Sequence, residues 1–145
     1  MTTLTRRSAA VMGGAALVAA SLPSGASAAN PAKNKVVFQI SDAEPAKWNL
    51  ALNNVRNLQT ELPDDESDLE VVVYGPGIGM LKGDSPIASR VADALKNSVK
   101  VVACENTMKG MKLTYADMLP NIGYVPAGVV ELMRKQQQGY AYIRP

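Results

Sequence analysis

The single cysteine of this 145-residue sequence, Cys104, is the side chain whose type and position best suit covalent chemistry. It follows the Val-rich run Val99 to Ala103 and precedes a short helical stretch from Glu105 to Lys109. Amides at a helix N-terminus stabilise a thiolate and draw a cysteine pKa below its ordinary value of about 8.5. Lys109 and Lys112 are near in sequence and would add positive charge, while Glu105 opposes it. A free cysteine also serves as a small core hydrophobe, so reactive and structural roles both stay open. One cysteine excludes an internal disulfide and leaves a free thiol, an intermolecular bridge or a modified sulfur. The chain has no histidine. That removes Ser-His-Asp and Cys-His catalysis, imidazole proton shuttling and nearly every zinc site.

Other candidate groups are weaker. Cys104, Met108 and Met111 form a soft-sulfur set of the kind that selects Cu(I), although methionines also fill gaps in cores. Gly75-Pro76-Gly77-Ile78-Gly79 invites a phosphate reading, but its spacing is not G-x-G-x-x-G and it lacks the Lys and Ser/Thr of a P-loop. It reads better as a tight turn with residues at positive φ, its amides lining a pocket around Cys104. Asp42, Glu44 and Asp84 read as helix caps and loop charges.

The elements that must position these groups alternate along the chain. Val36 to Ile40 reads as a strand, and Trp48, Ala51, Leu52, Val55 and Leu58 recur at helical spacing from Ala46 to about Thr60. Pro63 to Ser67 is an acidic loop and Leu69 to Tyr74 the clearest strand. Asp84-Ser85-Pro86 opens a helix that runs to about Lys96, with Ile87, Val91, Ala94 and Leu95 inward. Val99 to Ala103 is the third strand. Thr114 to Asp117 resembles a capping box. Ile122 to Val125 is a fourth strand, Gly128 to Gln138 a helix, and Tyr140 to Ile143 a final strand. Val-rich strands of this kind are buried on both faces. The expected fold is α/β: a doubly wound, mostly parallel five-stranded sheet with helices on both faces. Ligands of such sheets bind beyond the carboxyl ends of the strands. That rim would gather Ser41, Asp42, Gly75, Pro76, Gly77, Cys104, Glu105, Asn106, Tyr124 and Pro126.

Residues 1–28 read as an export signal. Arg6 and Arg7 precede an apolar run from Ala9 to Ala20, and Ala26-Ser27-Ala28 is an A-x-A cleavage signal. The paired arginines resemble a twin-arginine signal, with ordinary Sec export as the alternative. The run is shorter than the roughly 20 residues a bilayer anchor needs. Residues 29–34 would be a tether and 35–145 one domain. The chain holds 15 Lys and Arg against 13 Asp and Glu, so loss of Arg6 and Arg7 leaves it neutral. A neutral domain lacks the footprint of a nucleic-acid or anionic-membrane binder.

Four segments together resemble the exported branch of the DsrE/DsrF-like family. They are Lys35-Val36-Val37-Phe38-Gln39-Ile40-Ser41-Asp42, Val71-Val72-Val73-Tyr74-Gly75-Pro76-Gly77, Val101-Val102-Ala103-Cys104-Glu105-Asn106-Thr107-Met108 and Gly123 to Leu132. The resemblance implies small α/β proteins related to sulfurtransferases, assembled as homo-oligomers, often trimers or hexamers. It implies a cysteine after the third strand that carries sulfur as a persulfide, which Cys104 matches. Gly75, Pro76 and Gly77 match the loop beside that cysteine. The leading expectation is therefore a periplasmic sulfur carrier that needs no cofactor and exchanges sulfur with a thiol or persulfide partner. The alternatives are a non-catalytic oligomeric binding module with a structural cysteine and, less favoured, a Cu(I) site.

Overall fold

The structure is a computed structural model that describes residues 33–62 and 67–145. The expected export signal, residues 29–32 of the expected tether and most of the acidic loop lie outside the described residues. The chain runs β1 (Asn34–Ile40), α1 (Pro45–Glu61), β2 (Ser67–Val73), a 3-10 segment (Gly75–Leu81), α2 (Ala88–Lys96), β3 (Lys100–Cys104) and α3 (Glu105–Gly110). It continues through a short 3-10 turn (Tyr115–Asp117), β4 (Gly123–Val125), α4 (Gly128–Gln137) and β5 (Ala141–Ile143). The five strands are ordered β4-β3-β2-β1-β5. Every pairing is parallel. The expected five-stranded α/β fold is thus observed, fully parallel rather than mostly so.

Strand alternation divides the interior into two unequal layers. Side chains two apart on a strand share a face. Val36, Phe38 and Ile40, Leu69, Val71 and Val73, and Val99, Val101 and Ala103 build the larger core. Against them pack Trp48, Ala51, Leu52 and Val55 of α1, Val91 and Ala94 of α2, and Met108 of α3. The opposite face carries a smaller cluster of Val37, Val72, Leu132 and Tyr140, with Tyr74 and Val102 at its margin. Only α4 among the described helices supplies a residue to it. The winding explains the asymmetry. The chain steps from β1 to β4 in one direction, with its crossovers on one side, then passes back to the far side of β1. A right-handed crossover in the reverse direction must lie on the other face.

Several boundaries move. Asn34, expected in the tether, already belongs to β1. The Gly-rich stretch after β2 is a 3-10 helix rather than a sharp turn, and of its glycines only Gly75 has positive φ, at 55°. Asp84-Ser85-Pro86 does not begin α2, which starts at Ala88. Ser85 Oγ instead accepts from the Ile87 amide at 3.4 Å, making a turn before the helix. Ser41-Asp42 does not cap α1, whose N-cap is Glu44 with Pro45 in the first turn. The capping box at Thr114 and Asp117 is formed, with Asp117 accepting from the Thr114 amide at 2.7 Å. Of the apolar residues of α4, Leu132 is buried while Val129 and Met133 are exposed.

Because Leu132 is the one large apolar side chain by which α4 grips the smaller layer, Leu132→Ala is expected to cost about 2–5 kcal/mol. Urea denaturation measures it.

Candidate functional site

The carboxyl ends of the parallel strands form one rim, and Cys104 is the last residue of β3 on it. Alternation turns Ala103 into the larger core and leaves Cys104 on the α4 side of the sheet. Its strand neighbour on β4 is Val125. Directly after Cys104 the chain turns into α3, with Cys104 itself as the N-cap. The first amides of α3, which have no partner within the helix, therefore lie on the rim beside Cys104.

The Cys104 thiol is buried, with 5% of its residue surface exposed. Burial alone raises a thiol pKa, yet here the net direction is downward. The Thr107 hydroxyl and the amides of Thr107, Gly128 and Asn106 lie near the sulfur, and their pull on its anion outweighs the burial. Two of these amides belong to α3 and one to the first turn of α4, so two helix N-termini meet at one atom. The leading groups that lower it are a hydroxyl and backbone amides rather than Lys109 or Lys112.

Three contacts fix this arrangement. The Gly75 amide donates to Thr107 Oγ1 at 2.9 Å. With that lone pair engaged, the hydroxyl keeps its own proton for the sulfur. The Asn106 amide also donates to the Pro126 carbonyl at 3.2 Å, tying the start of α3 to the β4–α4 loop. At Gly128 a Cβ would stand 3.0 Å from both Cβ and Cδ1 of Tyr74. A residue without a side chain lets α4 approach the sheet closely enough for its amide to reach the sulfur. Gly77 answers a similar demand on the 3-10 segment, where a Cβ would lie 2.8 Å from the Ile40 carbonyl oxygen.

The rim residues expected from the sequence separate into two groups. Gly75, Asn106 and Pro126 meet around Cys104 through backbone atoms. Ser41 and Asp42 lie farther along the rim, just after β1. There the Tyr142 hydroxyl donates to Gln39 Oε1, and Gln39 Nε2 donates to Ser41 Oγ at 3.0 Å. Asp42 pairs with Lys47 at 3.3 Å and Arg144 at 3.7 Å. Glu105 accepts from the Tyr115 hydroxyl. Tyr124 packs edge-on against Tyr115, centroids 4.5 Å apart, and joins the larger core, on the face away from Cys104. Pro76 is exposed. Met108 is buried in the larger core whereas Met111 is exposed, so the two thioethers of the Cu(I) reading occupy different environments. Among the described residues no group of three His, Cys, Asp or Glu side chains is placed to hold a metal ion. Thr107 and Gly128 were not singled out from the sequence. The available signals were a hydroxyl in the first turn after Cys104 and a glycine opening a helix.

The DsrE/DsrF-like family model matches residues 34–145, and the chain belongs to this family. At family level this supports a sulfur-relay-type function. A protein of unknown function from Methanobacterium thermoautotrophicum is 34% identical, with a TM-score of 0.73, over 76% of this chain and 97% of that one. The ychN protein from E. coli is 15% identical, with a TM-score of 0.64, over 77% and 99% of the two chains. A conserved protein of unknown function from Bacteroides thetaiotaomicron is 10% identical, also with a TM-score of 0.64, over 77% and 95%. The last two share the fold. Comparison with curated proteins gives no match.

Thr107→Val removes a hydroxyl from beside the sulfur and is expected to raise the thiol pKa, with roughly tenfold less thiolate well below the midpoint. The pH dependence of ultraviolet thiolate absorbance reads this out. The linkage has a definite sign. Between the folded and unfolded thiol pKa values the unfolded chain binds more protons, so stability rises with pH there and is lost as pH falls through the folded value. Cys104→Ser should flatten that rise in denaturation curves taken from neutral to alkaline pH.

Proposed function

We propose that this protein carries sulfane sulfur as a persulfide on Cys104. The observation that carries the reading is the convergence of one hydroxyl and three amides on a single buried sulfur. Such donors favour a sulfur anion over a neutral thiol. A structural cysteine needs no such set, since a neutral thiol packs as a small hydrophobe.

The exchange is an overall isoelectronic transfer. The Cys104 thiolate attacks the outer, sulfane sulfur of a donor persulfide, forming a new S–S bond as the bond to the donor's inner sulfur breaks. The donor leaves as a thiolate. Cys104 now carries the persulfide, and an acceptor thiolate repeats the attack on the outer sulfur and releases the Cys104 thiolate. One S–S bond forms and one breaks at each step, so no external oxidant, reductant or cofactor enters. The helix-end amides serve the sulfur anion at Cys104 in the resting and released states.

We extend the proposal to location and assembly. The arginine pair, apolar run and Ala26-Ser27-Ala28 of the sequence support export to the periplasm, before which residues 1–28 are the address rather than part of the domain. Family membership and the exposed Val129 and Met133 of α4 support a homo-oligomer, a trimer or hexamer. No helix among the described residues is long and apolar enough to cross a membrane.

One observation favours a second reading. With only 5% of Cys104 exposed, the domain also suits a non-catalytic binding module whose cysteine is structural. Incubation of native protein with polysulfide, followed by intact-mass measurement, separates the two. Sulfur carriage predicts a gain of one sulfur, about 32 Da, on Cys104 that dithiothreitol or an acceptor thiol removes. No such adduct on folded protein, together with a thiol closed to labelling, rejects the carrier and leaves the binding module.

A further inference from the structure

Across the smaller layer, α4 runs antiparallel to β2 and meets it at three levels. At the rim Gly128 lies on Tyr74. In the middle Leu132 packs with Val72 and Val37. At the far end Lys135 Nζ is 2.7 Å from Glu70 Oε2. Gly128, Leu132 and Lys135 are spaced for one helix face, and Tyr74, Val72 and Glu70 alternate onto one strand face. Seven residues of helix rise about 10.5 Å and four of strand span about 13 Å, so the two ladders match over their length.

Of the three levels only the last is directional. Leu132 meets a flat valine surface on which an apolar side chain can slide, and Gly128 is defined by the side chain it lacks. The ion pair is also the least expected of the three on energetic grounds. Its side chains are 12% and 3% exposed, and Glu70 Oε1 has no hydrogen-bond partner. Taking two charges out of water costs several kcal/mol per ion, and apolar residues of similar volume often serve a core as well. Its best-attested physical use is to specify register.

The surroundings reinforce that use. Glu131 Oε1 lies 3.7 Å from Lys135, and Lys135 Nζ is 4.8 Å from the centroid of the Tyr140 ring. The Tyr140 hydroxyl donates to Asp68 at 2.6 Å, Asp68 pairs with Lys100 at 3.3 Å, and Lys35 reaches the same ring at 5.7 Å. The far end of α4 is thereby tied to β1, β2 and β3 at once. A slip of α4 by one residue would turn it about 100° and shift it about 1.5 Å. It would bring Ala127 or Val129 to the Tyr74 ring, where a Cβ is crowded, and would take the Gly128 amide off the sulfur.

We propose that Glu70 and Lys135 are positioning residues for the cysteine: their buried ion pair sets the register of α4 on β2 and so holds the Gly128 amide against the Cys104 sulfur. The pair acts from about two helical turns away and touches no reacting atom.

The test is the thiol titration of the full chain, followed by thiolate absorbance and independent of whether a persulfide ever forms. Glu70→Met/Lys135→Met keeps the volume and leaves neither member of the pair as a lone buried charge. Its titration midpoint is expected to rise, with at least about threefold less thiolate at neutral pH, while Lys135→Arg stays near the native value. A folded double variant with the native midpoint overturns the proposal, whatever its stability. If the double variant does not fold, Glu70→Gln gives the same readout: a raised midpoint supports the positioning role and an unmoved one removes it.

Discussion

A sulfur anion withdrawn from water must find hydrogen-bond donors in the protein, and the backbone offers unpaired donors in numbers only where helices begin. This requirement organises the molecule around Cys104. The residue ends a strand and begins a helix, so the amides of Asn106 and Thr107 are supplied locally. The third amide, from Gly128, comes from a helix that enters the structure 24 positions later and lies over the sheet. Parallel topology makes the meeting possible, since each strand must deliver the chain to the same rim before the next helix begins. An antiparallel arrangement of the same elements would scatter these helix starts over both ends of the sheet.

The two layers divide the labour. The larger one, with Phe38, Val71, Val73 and Val101 at its centre and α1 and α2 over it, has the dense apolar packing that holds a domain together. The smaller one buries little beyond Val37, Val72, Leu132 and Tyr140 and places charge beneath α4 instead. Burial raises the Glu70 pKa, against the hydrogen bond and charge of Lys135, which marks the desolvation that this layer sustains. The layer that contributes less apolar packing is the one that completes the sulfur site.

Legibility from sequence followed the range of the forces involved. Alternating valines in β1, β2 and β3 and the Trp48-Ala51-Leu52-Val55 stripe of α1 are set by periodicity within one element, and they were readable. So was the capping box at Thr114, which spans four residues. The start of α2 was misplaced because Asp84-Ser85-Pro86 has the composition of a cap, while Ser85 is held in a turn by the Ile87 amide. The Gly-rich loop was readable as a break but not as a 3-10 helix, whose packing depends on Ile40 of a distant strand. Among the rim residues, Gly75, Asn106 and Pro126 were recognised by position, yet their contribution is made by backbone groups rather than by the side chains that distinguish them.

The sequence by itself determined that Cys104 stands alone: with no histidine and no second cysteine, its chemistry is that of a single sulfur. It also determined that this sulfur ends a buried strand and begins a helix, because hydrophobic period and chain punctuation are local. Only the tertiary structure decided that the thiol is both buried and held toward its anion. That balance rests on Gly75 engaging Thr107 across 32 positions and on Gly128 fitting beneath no side chain but against Tyr74. Neither contact leaves a periodic trace, since a hydrogen bond between distant loops and the space left by an absent Cβ exist only once the chain has folded.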